Sequence, residues 1–273
     1  FYYRKISKNS PKIARAFYES GWSYFLKNDT SRALGIFHAL HSPYFKHHFY
    51  PELWILEATI YVNTCHVKRA KASIERFKAD VMVLGPPLRD FLKRHRRPEQ
   101  FYYGVVQAVN SPRTATLPRK LASPVLQNVE FYNLYKTVKQ IGREEVKLKK
   151  RLSSLGPFGQ ELLAKLGQLK GERIAEAGVV VQRTLRQVQK EIDEYQDRLA
   201  ELTIDLAEKE IEALDAKIDS TKKKTKLGKL VEQQGSVAIA GSDTMIWPFE
   251  GEFWKDEIGA YRSFVKSQCR EDQ

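Results

Sequence analysis

The chain is 273 residues long, with 29% charged and 11% aromatic residues, a composition that excludes a disordered tail. No run of 18 apolar residues occurs, so no membrane-spanning helix is predicted. The net charge of +13 is one-sided: residues 1–123 hold 21 Lys and Arg against 8 Asp and Glu, whereas residues 124–273 hold 25 of each.

Two matching apolar patterns stand near the start, 37 residues apart. The first is Phe17, Gly21, Tyr24, Ala33, Phe37 and Leu40; the second is Trp54, Ala58, Tyr61, Ala70, Ile74 and Phe77. Steps of three and four place residues on one helix face, and the step of nine crosses a turn. Each set therefore predicts two antiparallel helices whose apolar face must stack on neighbours. A generic helical hairpin bundle is the plainer alternative. Tyr3, Ile6 and Pro11 lie 34 residues before Phe37, Leu40 and Phe45, as the end of a preceding unit would. With a start other than Met, this points to a piece or processed form of a longer array.

These residues resemble the tetratricopeptide repeat family over roughly residues 1–80. Ser20 and Glu57 stand where the family has Leu, and Leu40 and Phe77 exceed the usual Ala. The resemblance implies an α-solenoid that binds protein partners in an inner groove. Carried over, the groove comprises Arg15, Tyr18, Trp22, Phe25 and Leu26, then Glu52, Ile55, Thr59, Val62 and Asn63. It is aromatic and aliphatic, suited to an apolar helix or an aromatic-rich peptide. Either the chain's own tail or long helix fills it, or neighbouring helices cover it.

His38, His41, His47 and His48 cluster here, and His38 and His41 share a metal-compatible spacing. No Cys or acidic residue joins them at ligand spacing, so surface histidines are expected. Cys65 and Cys269 follow no metal or redox spacing and are expected to be ordinary thiols, a disulfide being the alternative in an oxidising compartment.

Gly85-Pro86-Pro87 closes the second unit. Leu88, Phe91 and Leu92 predict a short helix, and Pro98 opens another bearing Phe101, Tyr102, Val105, Val106 and Val109. Lys93, Arg94, Arg96, Arg97, Arg113, Arg119 and Lys120 form the densest basic patch, suited to acidic partners or simply to solvation. The stretch 111–124, with three prolines, reads as a linker.

A helix is predicted from about 124 to 154, ended by Gly156-Pro157-Phe158-Gly159. A second runs to about 227, on the order of 100 Å long. Val181, Leu185, Val188, Ile192, Tyr195, Leu199, Leu202 and Leu206 form a heptad seam, which shifts phase to Ile204, Ala207, Ile211, Leu214 and Ile218. The seam outreaches its hairpin, so its remainder must pair with another chain, the repeat half or an external protein. Lys222-Lys223-Lys224 suits a helix C-terminus.

The tail carries a strand-like run at 237–240, then Trp247, Phe249, Phe253 and Trp254, too apolar for a free end, and a helix predicted over 256–266. Glu250, Glu252, Asp256 and Glu257 read as helix N-terminal charges and as partners for Lys or Arg. The segment from Trp247 to Arg262 is also similar to tetratricopeptide proteins of gliding and predatory bacteria. That similarity implies a cell envelope setting, favouring the periplasm over the cytoplasm, with a link to motility or transport.

The expected architecture is all-α: a tetratricopeptide-like solenoid over 1–123, a long antiparallel coiled-coil hairpin over 124–230, and a docking segment over 231–273. The expected function is non-enzymatic: a protein–protein scaffold with self-association through the coiled coil, no metal and no cofactor. No nucleotide loop, nucleophile elbow or zinc-ligand set is present. The alternative is a nucleic-acid or anionic-polymer binder using the basic half.

Overall fold

The computed structural model describes residues 2–46, 48–224, 245 and 251–269, the side chains of residue 4 and of 216–224 excepted. Every regular element among them is helical. In chain order these are α1 (Ile13–Leu26), α2 (Thr30–Leu40), α3 (Glu52–Asn63), α4 (Val67–Asp80), α5 (Gly85–Arg94), α6 (Pro98–Asn110), α7 (Arg119–Gln127), α8 (Val129–Lys150) and α9 (Leu152–Lys224). Short 3₁₀ turns cover Tyr2–Lys5, Pro43–Phe45 and Met82–Leu84. No helix among the described residues is long and apolar enough to cross a membrane.

The described residues fall into two compact units. The first draws on Phe1–Lys46, Tyr50–Phe77 and Asp197–Gln273; the second on His47–Phe49 and Lys78–Gln196. The C-terminal part of α9 therefore belongs to the first unit and the N-terminal part to the second.

In the first unit the turns α1–α2 and α3–α4 share one construction. Asn28 and Cys65, 37 residues apart, have φ of 55° and 58°. Each ends its helix in a Schellman turn. Asp29 N–H reaches Tyr24 C=O at 2.9 Å and Asn28 N–H reaches Phe25 C=O at 2.9 Å. In the second pair His66 N–H reaches Tyr61 C=O at 2.7 Å and Cys65 N–H reaches Val62 C=O at 2.9 Å. These bonds satisfy the last carbonyls of each first helix and fix the angle at which the second returns. Asp29 then caps α2 by accepting from Arg32 N–H at 3.1 Å.

Small residues set the closeness of the helices. A Cβ on Gly21 would stand 2.6 Å from the Phe37 ring, so only glycine allows this ring its place. Ala33, Phe37, Ala58, Ala70 and Phe77 are fully buried. One core joins α1, α2 and α3 with Phe45 and with Ile258 of the tail. A second joins Ala58 and Val62 of α3, Ala70 and Ile74 of α4, and Leu202 and Leu206 of α9.

In the second unit, Phe91 of α5 meets Phe101 of α6 edge-on at 5.9 Å. The proline-rich stretch expected to be a linker contains α7. Leu117, Leu121, Ala122 and Val125 are buried, and this apolar face holds the helix despite Pro124 within it. Asn128 caps α8, accepting from Glu130 and Phe131 N–H at 2.9 and 3.2 Å. Between α8 and α9, Arg183 pairs with Glu130 at 2.6 Å and Lys170 with Glu145 at 2.6 Å. Partners that advance on one helix as they retreat on the other mean antiparallel helices. The midpoints of the two pairs fall within Gly156-Pro157-Phe158, and Gly156 takes φ 55° and ψ −140°.

The tail differs from expectation. Residues 255–260 form turns and 261–268 take no regular structure rather than a helix. Gly259 adopts φ 92° against the Phe17 ring, a conformation that ends any helix there. The backbone instead bonds to the body: Ser263 N–H to Ser31 C=O at 3.1 Å and Gln268 N–H to Thr64 C=O at 2.9 Å. Cys269 forms a disulfide with Cys65, across a sequence separation of 204. The expectation of two ordinary thiols is thereby corrected, because the tail, bonded to Ser31 and Thr64, brings the two residues to a Cα–Cα distance of 5.0 Å.

Candidate functional site

The predicted groove is a mixed surface in the first unit. Tyr18 and Trp22 of α1 converge on Glu52 at the start of α3. Tyr18 Oη donates to Glu52 Oε2 at 2.8 Å, and Trp22 Nε1 donates to Tyr18 Oη at 3.0 Å and to Glu52 Oε2 at 3.2 Å. Tyr50 stacks on Tyr18 at 4.6 Å. The other carboxylate oxygen accepts from Arg198 Nη1 of α9 at 2.8 Å. Burial pushes the Tyr18 hydroxyl well above the ordinary phenol range, and its bond to Glu52 adds to this. Burial likewise pushes Tyr50 up to about 12. Both phenols are neutral at any physiological pH, and Tyr18 serves as a hydrogen-bonding group.

The remaining groove positions divide. Arg15, Leu26 and Asn63 are exposed, and Phe25 and Thr59 are half-buried. Phe25 meets Trp22 edge-on at 5.7 Å, and Thr59 Oγ1 donates to Ile55 C=O at 2.8 Å. Ile55 and Val62 are buried, Val62 beneath Leu202 and Leu206. The long helix, rather than the tail, lies over this part of the groove.

The tail packs elsewhere. Phe253 stacks on His38 at 4.8 Å, and Tyr261 meets the same imidazole edge-on at 5.4 Å. Trp254 is half-exposed, its backbone bonded to the Tyr261 hydroxyl. Trp247 and Phe249 lie outside the described residues, as does the run at 237–240. Tail and α2 approach so closely that a Cβ on Gly35 would sit 1.9 Å from Tyr261 O.

Of the four histidines expected on the surface, His38 and His41 are instead packed, His48 is half-buried, and His47 lies outside the described residues. His38 is half-buried, and this burial lowers its pKa from the usual value. His41 stacks on Trp54 at 3.5 Å and pairs with Glu57, its Nε2 at 3.1 Å from Oε1. Glu57 is buried, and Ser73 Oγ donates to its other oxygen at 3.4 Å. The order is Ser–Glu–His: the hydroxyl donates to a carboxylate rather than to the imidazole. A glutamate in the apolar run of α3 was the visible signal for this cluster. Tyr50 and Arg198 had no comparable signal, since only the fold brings them to Glu52. No group of three or more metal-ligating side chains occurs among the described residues.

The seam is buried along most of its length. Val181, Leu185, Val188 and Ile192 are covered in the second unit, and Leu202 and Leu206 in the first, with Leu199 packed beside them. Tyr195 is half-buried. The phase-shifted set is different: Ile204, Ile211 and Leu214 are 61%, 60% and 56% exposed. In the basic patch, Arg94 pairs with Asp90 at 3.8 Å and Lys120 with Asp80 at 3.5 Å. Lys93, Arg96, Arg97, Arg113 and Arg119 are exposed.

No protein-family model, curated protein or solved structure matches the chain.

Proposed function

We propose that the chain is a non-enzymatic protein–protein scaffold within a larger assembly. In this reading a tetratricopeptide-like repeat unit is joined to an antiparallel coiled-coil hairpin. The observation that carries it is the second apolar stripe of α9. Ile204, Ile211 and Leu214 recur at heptad-compatible steps and are exposed, while the seam beside them is buried. An apolar stripe on a charged helix is suited to a second helix, supplied by another protein or another copy of the chain. The repeated hairpins with their identical turns support the scaffold reading, since such units need neighbours to bury their faces. The Cys65–Cys269 disulfide favours an oxidising compartment, in keeping with a periplasmic or cell envelope setting.

A photoreactive residue at Ile211 tests the reading. It should crosslink to one defined partner or to a second copy, and Ile211→Asp should abolish the complex at unchanged helicity. Retained assembly in Ile211→Asp would sink it.

A second reading, binding of nucleic acid or another anionic polymer, is favoured by the exposed Lys93, Arg96, Arg97, Arg113 and Arg119. It requires affinity for duplex or single strands that falls steeply as salt rises.

A further inference from the structure

The turn of the α8–α9 hairpin is apolar where a solvent-facing turn is ordinarily polar. Phe158 is 65% exposed, and Leu155 and Leu162 are exposed on either side of it. Beside them Lys149, Lys150 and Arg151 end α8, all exposed and none within 4.0 Å of a carboxylate among the described residues. The nearest acids in sequence already have cationic partners: Glu145 pairs with Lys170 at 2.6 Å, Glu144 with Lys147 at 2.9 Å and Glu161 with Lys165 at 2.7 Å. The turn therefore presents three uncovered apolar side chains within a collar of uncompensated positive charge.

That combination selects among anionic ligands. A nucleic acid or an acidic peptide matches the cations but leaves Leu155 and Leu162 in water. A bilayer surface matches both halves, because apolar side chains enter the boundary between headgroups and acyl chains while cations remain at the phosphates. We propose that the α8–α9 turn is an interfacial anchor for anionic lipid. Phe158, Leu155 and Leu162 insert, and Lys149, Lys150 and Arg151 contact headgroup phosphates. The anchor lies on the membrane and does not span it. Each cation near an anionic leaflet contributes roughly a fivefold factor in partitioning, so binding is reversible and falls with salt.

Flotation of the full chain with phosphatidylcholine vesicles, with and without phosphatidylglycerol, tests the proposal. Binding is expected only with phosphatidylglycerol, reduced at least tenfold in Lys149→Glu/Lys150→Glu and in Phe158→Asp. The conservative Phe158→Trp variant adds a spectroscopic reading. Its emission, after subtraction of the wild-type signal, shifts to the blue with phosphatidylglycerol vesicles and not with phosphatidylcholine alone. Absence of vesicle binding by the wild-type chain overturns the proposal, as does undiminished binding by both the charge and the apolar variants. Emission of the Phe158→Trp variant unmoved by bound vesicles overturns it too. So does loss of vesicle binding on adding duplex DNA, if that emission stays unchanged throughout. The assay contains no protein partner, so its failure leaves the scaffold reading standing.

Discussion

Gly35 and His38 lie one turn apart on α2 and hold the tail in different ways. At Gly35 the constraint is steric: the missing Cβ is the space occupied by Tyr261 O, a backbone atom that cannot swing aside. Gly35→Ala should cost about 1–3 kcal/mol by overpacking, outweighing any gain in helix propensity. A melting temperature equal to or above that of the wild type would show that the tail is not seated on α2. At His38 the constraint is electrostatic. Burial between Phe253 and Tyr261 lowers its pKa; Glu57 and Glu252 oppose the shift and His41 adds to it. Because the folded pKa lies below the unfolded value of about 6.5, the unfolded state binds the proton more readily. Stability from this residue is thus complete above pH ~6.5 and declines as pH falls below it. His38→Phe should flatten the pH dependence of the melting temperature between about pH 7 and 5. An unchanged slope would assign that dependence to other groups.

At the scale of elements, α9 carries two apolar stripes with different fates. Leu202 and Leu206 are 6% and 4% exposed against α3 and α4, whereas Ile204 between them is 61% exposed. Leu202→Ala should cost about 2–5 kcal/mol, the range for a buried leucine leaving a cavity. Ile204→Ala should stay within about 0.5 kcal/mol, and urea titration separates the two. Equal effects would mean that α9 is not registered on α3 and α4 by this seam. The tail is an element of another kind, fastened by a covalent bond as well as by packing. Closing a loop with a separation of 204 residues restricts the unfolded chain by about 5 kcal/mol in the chain-entropy treatment. Reduction, or Cys269→Ser, should lower the denaturation midpoint and open residues 251–269 to protease. A midpoint unmoved by reductant would show that packing alone retains the tail.

On the scale of the whole molecule, the first unit depends on the C-terminal segment for part of its core. Ile258 is buried in the same cluster as Phe37 and Leu40, with Tyr261 and Val265 beside it. Deleting residues 235–273 removes these side chains and the disulfide together. Binding of a hydrophobic dye should rise and the melting temperature fall; if neither changes, the segment is dispensable to the fold. Positive charge concentrated in residues 1–123 acts at this scale too, setting the sign of long-range attraction to any partner.

Short-range order was legible in the sequence because it depends on residues a few positions apart. The steps of three and four placed α1 to α4, Pro98 marked the start of α6, and Gly156-Pro157 marked the reversal between α8 and α9, whereas the break at Asn128 within the helix expected over 124–154 was not read. Misreadings arose where a local signal opposed a distant contact. The prolines of 111–124 suggested a linker, but buried Leu121 and Val125 make α7. The tail carried a helical pattern, yet its backbone finds partners at Ser31 and Thr64 and its sulfur at Cys65. Glu52 meets Arg198 across 146 positions, and no periodicity within either helix encodes that meeting. The sequence by itself thus determined the all-α character, the paired hairpins and the turn at Gly156. Only the tertiary structure decided which stripe of α9 is buried, where the tail lies and that the two cysteines join. Each of those outcomes is a choice among surfaces far apart along the chain, made by complementarity of shape and charge.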